Sequence, residues 1–387
     1  MVIIGGGAVG SAIAYFTLSD PAFKGTVTVV ERDPSYSHAS SALSASSIRQ
    51  QFSTAINIEL GLFGIAFLRQ AADLLTTPDE RPDIGLIESG YLFLASAAGV
   101  DVLEQNHRLQ RSLGADTALL NPAELQARFP WLACDDLALG SIGLSGEGWF
   151  DGYSLLQAFK KKARSLGATF VTGQANGFDV VGAHLRAVRL VDGSALACEV
   201  VVNAAGPWAR EPAAWLGIDL PVRARRRCVF VFRCPTPIQG APLVIDPSGV
   251  YFRPEGRDQF LCGVSPDSID DLDDLPLEVD HALFEAVIWP RLAARVPAFE
   301  ALRQTGAWAG YYEFNTFDCN GIVGFYPGIA NFILANGFSG HGLQQSPAVG
   351  RGVAELIVHG AYRTLDLSPL GFERIAAKRP LTERNVV

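Results

Sequence analysis

Val2-Ile3-Ile4-Gly5-Gly6-Gly7-Ala8-Val9-Gly10, followed by Ser11 to Leu18 and then by Val27-Thr28-Val29-Val30-Glu31, decides the fold of this chain. A short apolar run enters a glycine-rich turn with GxGxxG spacing. A helix is predicted over Ser11 to Leu18, ended by Asp20-Pro21, and a second β-branched strand closes on an acid. This is one βαβ unit, and each part has a physical reason. Gly5 permits the tight turn, Gly7 lets the backbone approach a pyrophosphate, and Gly10 lets helix and strand pack closely. The helix start offers N–H groups without intrahelical partners, and the positive end of its dipole, to an anion. Glu31 stands 31 − 10 = 21 residues after the last glycine, where a carboxylate accepts hydrogen bonds from a ribose diol. An acid rather than an arginine there argues against a 2′-phosphorylated nucleotide.

Working outward, 387 residues exceed one ordinary compact domain, so two or three domains are expected. Hydrophobic residues at 49%, charged residues at 18%, 39 Gly and 22 Pro describe a loop-rich α/β enzyme. A net charge of −9 has the wrong sign for neutralising phosphate backbones, which speaks against nucleic acid as partner. The six cysteines form no CxxC pair and are expected as buried free thiols in a reducing compartment, which makes the expected location cytoplasmic. The six histidines are scattered without an HExxH pattern, so no metal site is expected. No apolar run reaches membrane-spanning length and no charged leader precedes one. Because the first strand begins at once, the native protein is expected to carry a few residues before Met1.

Residues Thr54 to Leu75 show helical periodicity, and Asp151 is placed to cap a helix over Tyr153 to Leu166 whose Lys160-Lys161-Lys162 run reads as a solvated face. Strands are predicted near 168–172, 185–191 and 199–203, the last opening into Asn203-Ala204-Ala205-Gly206. From Arg223 to Val264 extended stretches separated by Pro247-Ser248-Gly249 and Pro254-Glu255-Gly256-Arg257 predict an antiparallel sheet, with Arg225-Arg226-Arg227 as a loop entering it. The acidic stretch Asp267 to Asp280 reads as a solvated loop, with a lid as the other reading, before a helix near 279–295. A second strand–turn–helix follows: Phe332 to Asn336, then Gly337-Phe338-Ser339-Gly340-His341-Gly342, then a helix from Leu343 to about His359. Its helix start suits an anionic or electron-rich group.

Gly5 to Gly10, Glu31, Asn203-Ala204-Ala205-Gly206-Pro207-Trp208-Ala209 and Gly337 to Gly342 resemble the D-amino-acid-oxidase superfamily, which includes sarcosine oxidases and dehydrogenases and glycine oxidases. Within it, Ile48-Arg49-Gln50-Gln51-Phe52-Ser53, Phe129-Pro130-Trp131, Glu147 to Asp151, Leu343 to Pro347 and Leu365 to Pro369 resemble the FAD-dependent-oxidoreductase-domain proteins associated with mitochondrial complex I assembly. The resemblance spans nearly the whole chain. It implies a glutathione-reductase-like, Rossmann-type α/β domain binding FAD, built discontinuously from residues 1–80, 150–220 and 320–387. It also implies an α+β substrate domain from 81–149 and 221–319, whose antiparallel sheet roofs the flavin.

The resemblance places FAD against Gly5, Gly7, Ala8, Val9, Gly10, Glu31, Arg32, Ser40, Ser41, Ala175, Ala205, Gly206 and Trp208. From the second turn it adds Gly337, Ser339, Gly340, His341, Gly342, Leu343 and Gln344. Non-covalent FAD is expected, because Gly310 stands at the covalent-cysteine position of monomeric sarcosine oxidase and Ala39, beside His38, at the covalent-histidine position of the dehydrogenases. The implied chemistry is hydride removal from a carbon beside an amine nitrogen, giving an imine that water hydrolyses, with the protein supplying position and electrostatics.

For the substrate side, Arg49 falls where sarcosine oxidases carry an arginine close to the flavin. Gln344 stands at the position of a carboxylate-binding lysine, and Tyr312 at that of glycine oxidase's carboxylate-binding arginine. Leu261 replaces the lysine that promotes oxygen reduction, which predicts slow reaction with oxygen and so a quinone or an electron-transfer protein, rather than oxygen, as the natural acceptor. Tyr251 and Arg253 share one strand face, either pointing at the substrate or forming a surface or cross-strand pair. His341 reads as a base or as a structural residue at the flavin edge. The expected activity is oxidation of a small, secondary amino acid such as an N-methyl or N-carboxymethyl glycine. The alternatives are a non-catalytic or weakly catalytic flavoprotein assembly factor and a 2-hydroxy-acid oxidase or dehydrogenase.

Overall fold

The computed structural model describes residues 1–267 and 269–384; Ser268, inside the acidic stretch, lies outside the described residues. Fourteen strands of the described chain build two large sheets. In chain order they are β1 (Val2–Ile4), β2 (Thr28–Glu31), β3 (Tyr91–Ala95), β4 (Thr117–Leu120), β5 (Leu139–Gly143), β6 (Thr169–Thr172) and β7 (Val201–Asn203). They continue with β8 (Val222–Arg233), β9 (Leu243–Ile245), β10 (Tyr251–Pro254), β11 (Gln259–Gly263), β12 (Arg303–Asn315), β13 (Ile322–Phe325) and β14 (Phe332–Asn336). Four helices position the site: α1 (Ala8–Ser19), α2 (Ala55–Leu68), α3 (Gly152–Ser165) and α4 (Gly342–His359).

The first sheet runs β13-β14-β7-β1-β2-β6, parallel except for the antiparallel edge pair β13–β14. Its central strands are apolar throughout because helices cover one face and a small three-stranded sheet lies against the other. Helix α1 packs between α4 and α3. That position explains why its sequence is apolar nearly all round and carries no amphipathic stripe. Gly10 is needed there: a Cβ would stand 2.0 Å from the carbonyl oxygen of Gly5.

The second sheet runs β12-β8-β11-β10-β9-β3-β5-β4, antiparallel except between β9 and β3. Its outer face carries a phenylalanine-rich core with Phe230, Phe232, Phe252, Phe260 and Phe299. The long pair β8–β12 reaches from this roof to the start of α4, which brings roof residues to the flank of the first sheet.

Several local expectations change. Helix α1 starts at Ala8, three residues earlier than read, because Gly7 already serves as its N-cap. The run Thr54 to Leu75 divides into α2 and a single turn at Ala71–Leu74. Arg225-Arg226-Arg227 is no entry loop but the interior of β8, each residue paired in register with β12. The helix near 279–295 is broken into two pieces, His281–Leu283 and Trp289–Arg295, joined by a π-turn at Phe284–Ile288. Pro290 has no N–H to give to the preceding turn, which accounts for the interruption. Of the six cysteines, all unpaired, Cys198 and Cys319 are only partly buried. Strand Ala175–Val181 had no counterpart in the reading, since its Asn, Gly and Asp are poor strand formers. Asp151 does cap α3, accepting from the N–H of Ser154 at 2.9 Å.

Candidate active site

The β1–α1 turn, the end of β2 and the loop after β7 enclose a groove of about 570 Å³. Gly5, Gly7, Ala8, Val9, Glu31, Arg32, Ser40, Ser41, Ala175, Ala205, Gly206 and Trp208 all line it. Gly5 has φ +99°, and a Cβ there would meet the Ala204 carbonyl oxygen at 2.3 Å, so the turn is closed to other residues. At Gly7, by contrast, a Cβ would touch only Ser41 Oγ, at 3.6 Å. Glu31 accepts the N–H of Gly6 at 2.8 Å and of Asp33 at 2.9 Å, which fixes its carboxylate at the groove's edge. Arg32 stacks on Trp208, 3.8 Å from the ring centroid. The buried hydroxyl of Tyr36, also in the lining, has no partner within the described chain. Such an orphan is costly unless a ligand meets it. Gly10 does not line the groove; its role is packing.

Where the groove passes beneath the roof it meets a smaller compartment of about 70 Å³, sharing Val9, Ser40, Ser41 and Glu313 with it. Arg227, Tyr251, Gly310, Tyr311, Tyr312, Gly340, Gly342 and Leu343 complete much of its wall. Gly310 packs so closely that a Cβ would lie 2.8 Å from that of Leu43, leaving no room for a cysteine at unchanged geometry. His38 lies instead along the large groove, its Nδ1 at 2.9 Å from Ser37 Oγ.

A third compartment, about 50 Å³, lies beside the second and is lined by Arg49, Tyr91, Tyr251, Tyr312, His341 and Gln344 among others. Arg49 is the one cationic side chain among the described residues that line it, and it is 1% exposed. Its backbone N–H donates to Gln344 Oε1 at 2.9 Å, and its guanidinium donates to the Gln51 carbonyl and to His341 Nε2 at 3.0 Å. The Phe52 ring lies under it at 4.1 Å. Burial, with Arg49 second, pulls His341 down to about 3. The imidazole is therefore neutral at ordinary pH, and its Nε2 lone pair is taken by Arg49, which fits the structural role at this position. Behind this cluster, Glu147 accepts from the N–H groups of Gln50 at 2.6 Å and Gln51 at 3.1 Å and from Gln51 Nε2 at 2.7 Å. It clamps the Arg49 segment; burial pushes its carboxyl up to about 7. The phenols of Tyr91, Tyr251 and Tyr312 are all raised by burial and stay protonated donors.

Other residues singled out in the sequence stand apart. Arg253 lines none of these spaces: its Nε and Nη2 donate to the Ala45 carbonyl at 3.1 and 2.9 Å and Nη1 pairs with Glu255. It braces the segment that carries Ala45 and neighbours, while Tyr251 on the same strand does face the compartments. Ser339 and Gly337 shape the second turn. Ser339 Oγ accepts the N–H of Asn315 at 2.9 Å, and Gly337, at φ +77°, packs on Val222. Leu261 is buried between Val231 and Arg253 in the roof and reaches none of the compartments.

Other lining residues carried no sequence signal. Glu313 and Tyr311 belong to no motif, and only the β8–β12 pairing puts them, together with Arg227 of the arginine run, over the groove. The acidic stretch is not simply solvated either: Asp271 is 9% exposed and takes Arg227 at 2.6 and 2.9 Å and Arg225 at 2.8 Å. Two guanidinium groups offset the cost of burying that carboxylate. Among the described residues no cluster of His, Cys, Asp and Glu is arranged to hold a metal ion, and no helix is long and apolar enough to cross a membrane.

A family model described as DAO, FAD dependent oxidoreductase, matches residues 1–356. The chain is 44% identical to FAD-dependent oxidoreductase domain-containing protein 1 of Xenopus laevis, covering 100% of this chain and 84% of that one. It is 28% identical to glycine oxidase of Geobacillus kaustophilus, over 98% of this chain and 97% of the relative. Among solved structures, L-proline dehydrogenase from P. horikoshii superposes with a TM-score of 0.87 at 26% identity, covering 98% of both chains.

Proposed function

The chain belongs to the DAO family of FAD-dependent oxidoreductases, and from that premise we propose that it oxidises a small secondary amino acid, such as an N-methyl or N-carboxymethyl glycine. The observation that carries the reading is Arg49, a buried cation facing a compartment of about 50 Å³ walled by three protonated phenols. A guanidinium there is suited to a carboxylate, and the space admits only a small substrate. Two relatives are named for glycine and L-proline, both small amino acids.

FAD fits the residues present. The Gly5–Gly10 turn, Glu31 and the Tyr36 hydroxyl suit the dinucleotide, the turn before α4 suits the flavin, and Gly310 and Ala39 favour non-covalent binding. We assign the FAD part to residues 1–80, 150–220 and 320–387 and the substrate part to 81–149 and 221–319. Bound FAD supplies the two-electron acceptor. Arg49 holds the substrate carboxylate, neutral His341 and the Gln51 carbonyl keep the guanidinium in place, and the tyrosines exclude water and orient the amine. The C–H bond beside the nitrogen breaks with its electron pair leaving as hydride, the nitrogen lone pair forms the C=N bond, and water then hydrolyses the imine. No ionisable base is required beyond loss of the substrate's own ammonium proton before binding.

Anaerobic titration of the flavin with a panel of amines and acids tests this. N-methylglycine, N-carboxymethylglycine or proline should bleach the flavin, and 2-hydroxy acids should not. Bleaching by hydroxy acids alone, or by no member of the panel, overturns the reading, the latter in favour of an assembly factor.

A further inference from the structure

Glu313 is a buried carboxyl that makes no ion pair among the described residues. It sits on β12 at the neck between the dinucleotide groove and the flavin compartment and lines both. Its Oε2 accepts the N–H of Gly337 at 3.2 Å, and the N–H of Phe338 also reaches the carboxyl. Its Oε1 lies so near the start of α4 that a Cβ at Gly342 would stand 2.8 Å away. Across the strand pair its register partner is Ala224, which offers nothing polar.

The charged and titratable groups around it are engaged elsewhere. On β8, Arg225 and Arg227 are held by Asp271, and Arg226 donates to the Pro276 carbonyl. On β12 itself, Tyr311 donates to the Leu275 carbonyl and Tyr312 lies under Arg227. From the turn before α4, His341 is taken by Arg49. Across the groove, Arg32 is stacked on Trp208, and Glu31 and Glu211 add only negative charge. FAD brings two further negative charges on its pyrophosphate. A second buried anion at the neck would be opposed by its desolvation and by the negative groups across the groove, which outweigh the two backbone N–H donors that favour the charge.

We propose that Glu313 holds a proton at neutral pH and donates it, as a hydrogen bond, to an oxygen of FAD where the cofactor crosses from groove to compartment. Burial raises this carboxyl to about 8, in agreement with that protonation state. The inference rests on the groove being the FAD site. FAD affinity is then linked to this proton: binding favours the protonated form, and raising the pH above the carboxyl's range forces proton uptake on binding.

The test is FAD affinity of the apoprotein, read by quenching of flavin fluorescence, between pH 7 and 9.5 in wild type and Glu313→Gln. Wild type should lose affinity by up to tenfold per pH unit above about pH 8. Glu313→Gln, which keeps an acceptor for Gly337 and a donor for FAD, should bind at pH 7 within threefold of wild type and show no such slope. Measuring both together cancels ionisation of free flavin. Wild-type and variant curves that run parallel overturn the proposal, and so does a flat wild-type curve, which needs no variant. An infrared carboxylic-acid band in wild-type holoprotein at pH 7, absent from Glu313→Gln, is the second expected result; no difference overturns it. Tight binding of both proteins at pH 7 would leave the FAD site itself standing whatever the slope.

Discussion

Truncating Arg49 to alanine removes the one cation from the proposed substrate compartment and tests what holds the substrate there. The side chain is 1% exposed, so a carboxylate bound to it is desolvated and its partner's loss is not made good by water. Removing one member of such a pair costs about 2–5 kcal/mol. At ~1.4 kcal/mol per tenfold, kcat/KM should fall by roughly thirty-fold to several thousand-fold. The same change strips donors from the Gln51 carbonyl and from His341 Nε2, at about 1–3 kcal/mol for each hydrogen bond lost, so folding must be checked by thermal melts. Arg49→Lys separates the two effects, since it keeps the charge while losing the planar fork, and should recover only part of the rate. The assay is anaerobic stopped-flow reduction of the flavin by an amino acid and by its decarboxylated amine. Wild type should prefer the amino acid strongly, and Arg49→Ala should lose most of that preference. An unchanged ratio refutes the assignment and leaves Arg49 as a support for His341 and the 49–51 segment.

Other outcomes follow from neighbouring features. Gly7→Val should melt like wild-type apoprotein yet purify colourless, because its Cβ meets only Ser41 Oγ while the branched side chain fills the pyrophosphate approach; full flavin occupancy would contradict the cradle. Acid precipitation of wild type should release intact FAD into the supernatant, since Gly310 offers no attachment, and yellow pellets would contradict this. Asp271→Ala leaves Arg227 buried without its carboxylate and should destabilise by about 3–5 kcal/mol, read by denaturant titration, whereas a solvated-loop role predicts under about 0.5 kcal/mol. Glu147 has its folded-state pKa raised from 4.5 to about 7, so its contribution to stability is complete below pH 4.5 and is lost as pH rises through 7. Glu147→Gln should flatten the melting temperature across that window, and an unaltered wild-type slope would assign the dependence to other groups.

The nucleotide cradle was legible in the chain because everything it needs is local. Gly5, Gly10 and Glu31 work through one turn, one helix and two adjacent strands, and glycine spacing with β-branched runs reports such geometry directly. The same holds for the turn from Gly337 to Gly342 and for Asp151 as a helix cap. Alternation along β10 told that Tyr251 and Arg253 share a face, yet not what that face meets. The tertiary structure separates their side chains, sending Tyr251 to the compartments and Arg253 to the Ala45 carbonyl and Glu255. Reading Arg225-Arg226-Arg227 as a loop failed because charge suggests exposure, whereas Asp271, 44 residues beyond Arg227, neutralises the strand from outside it. The Arg49–His341 contact spans 292 residues and the placement of Glu313 depends on β8 pairing with β12. Protonation states at the site are set by burial, and burial is a property of the packed whole; residue order alone fixes which groups can titrate, and tertiary packing fixes where.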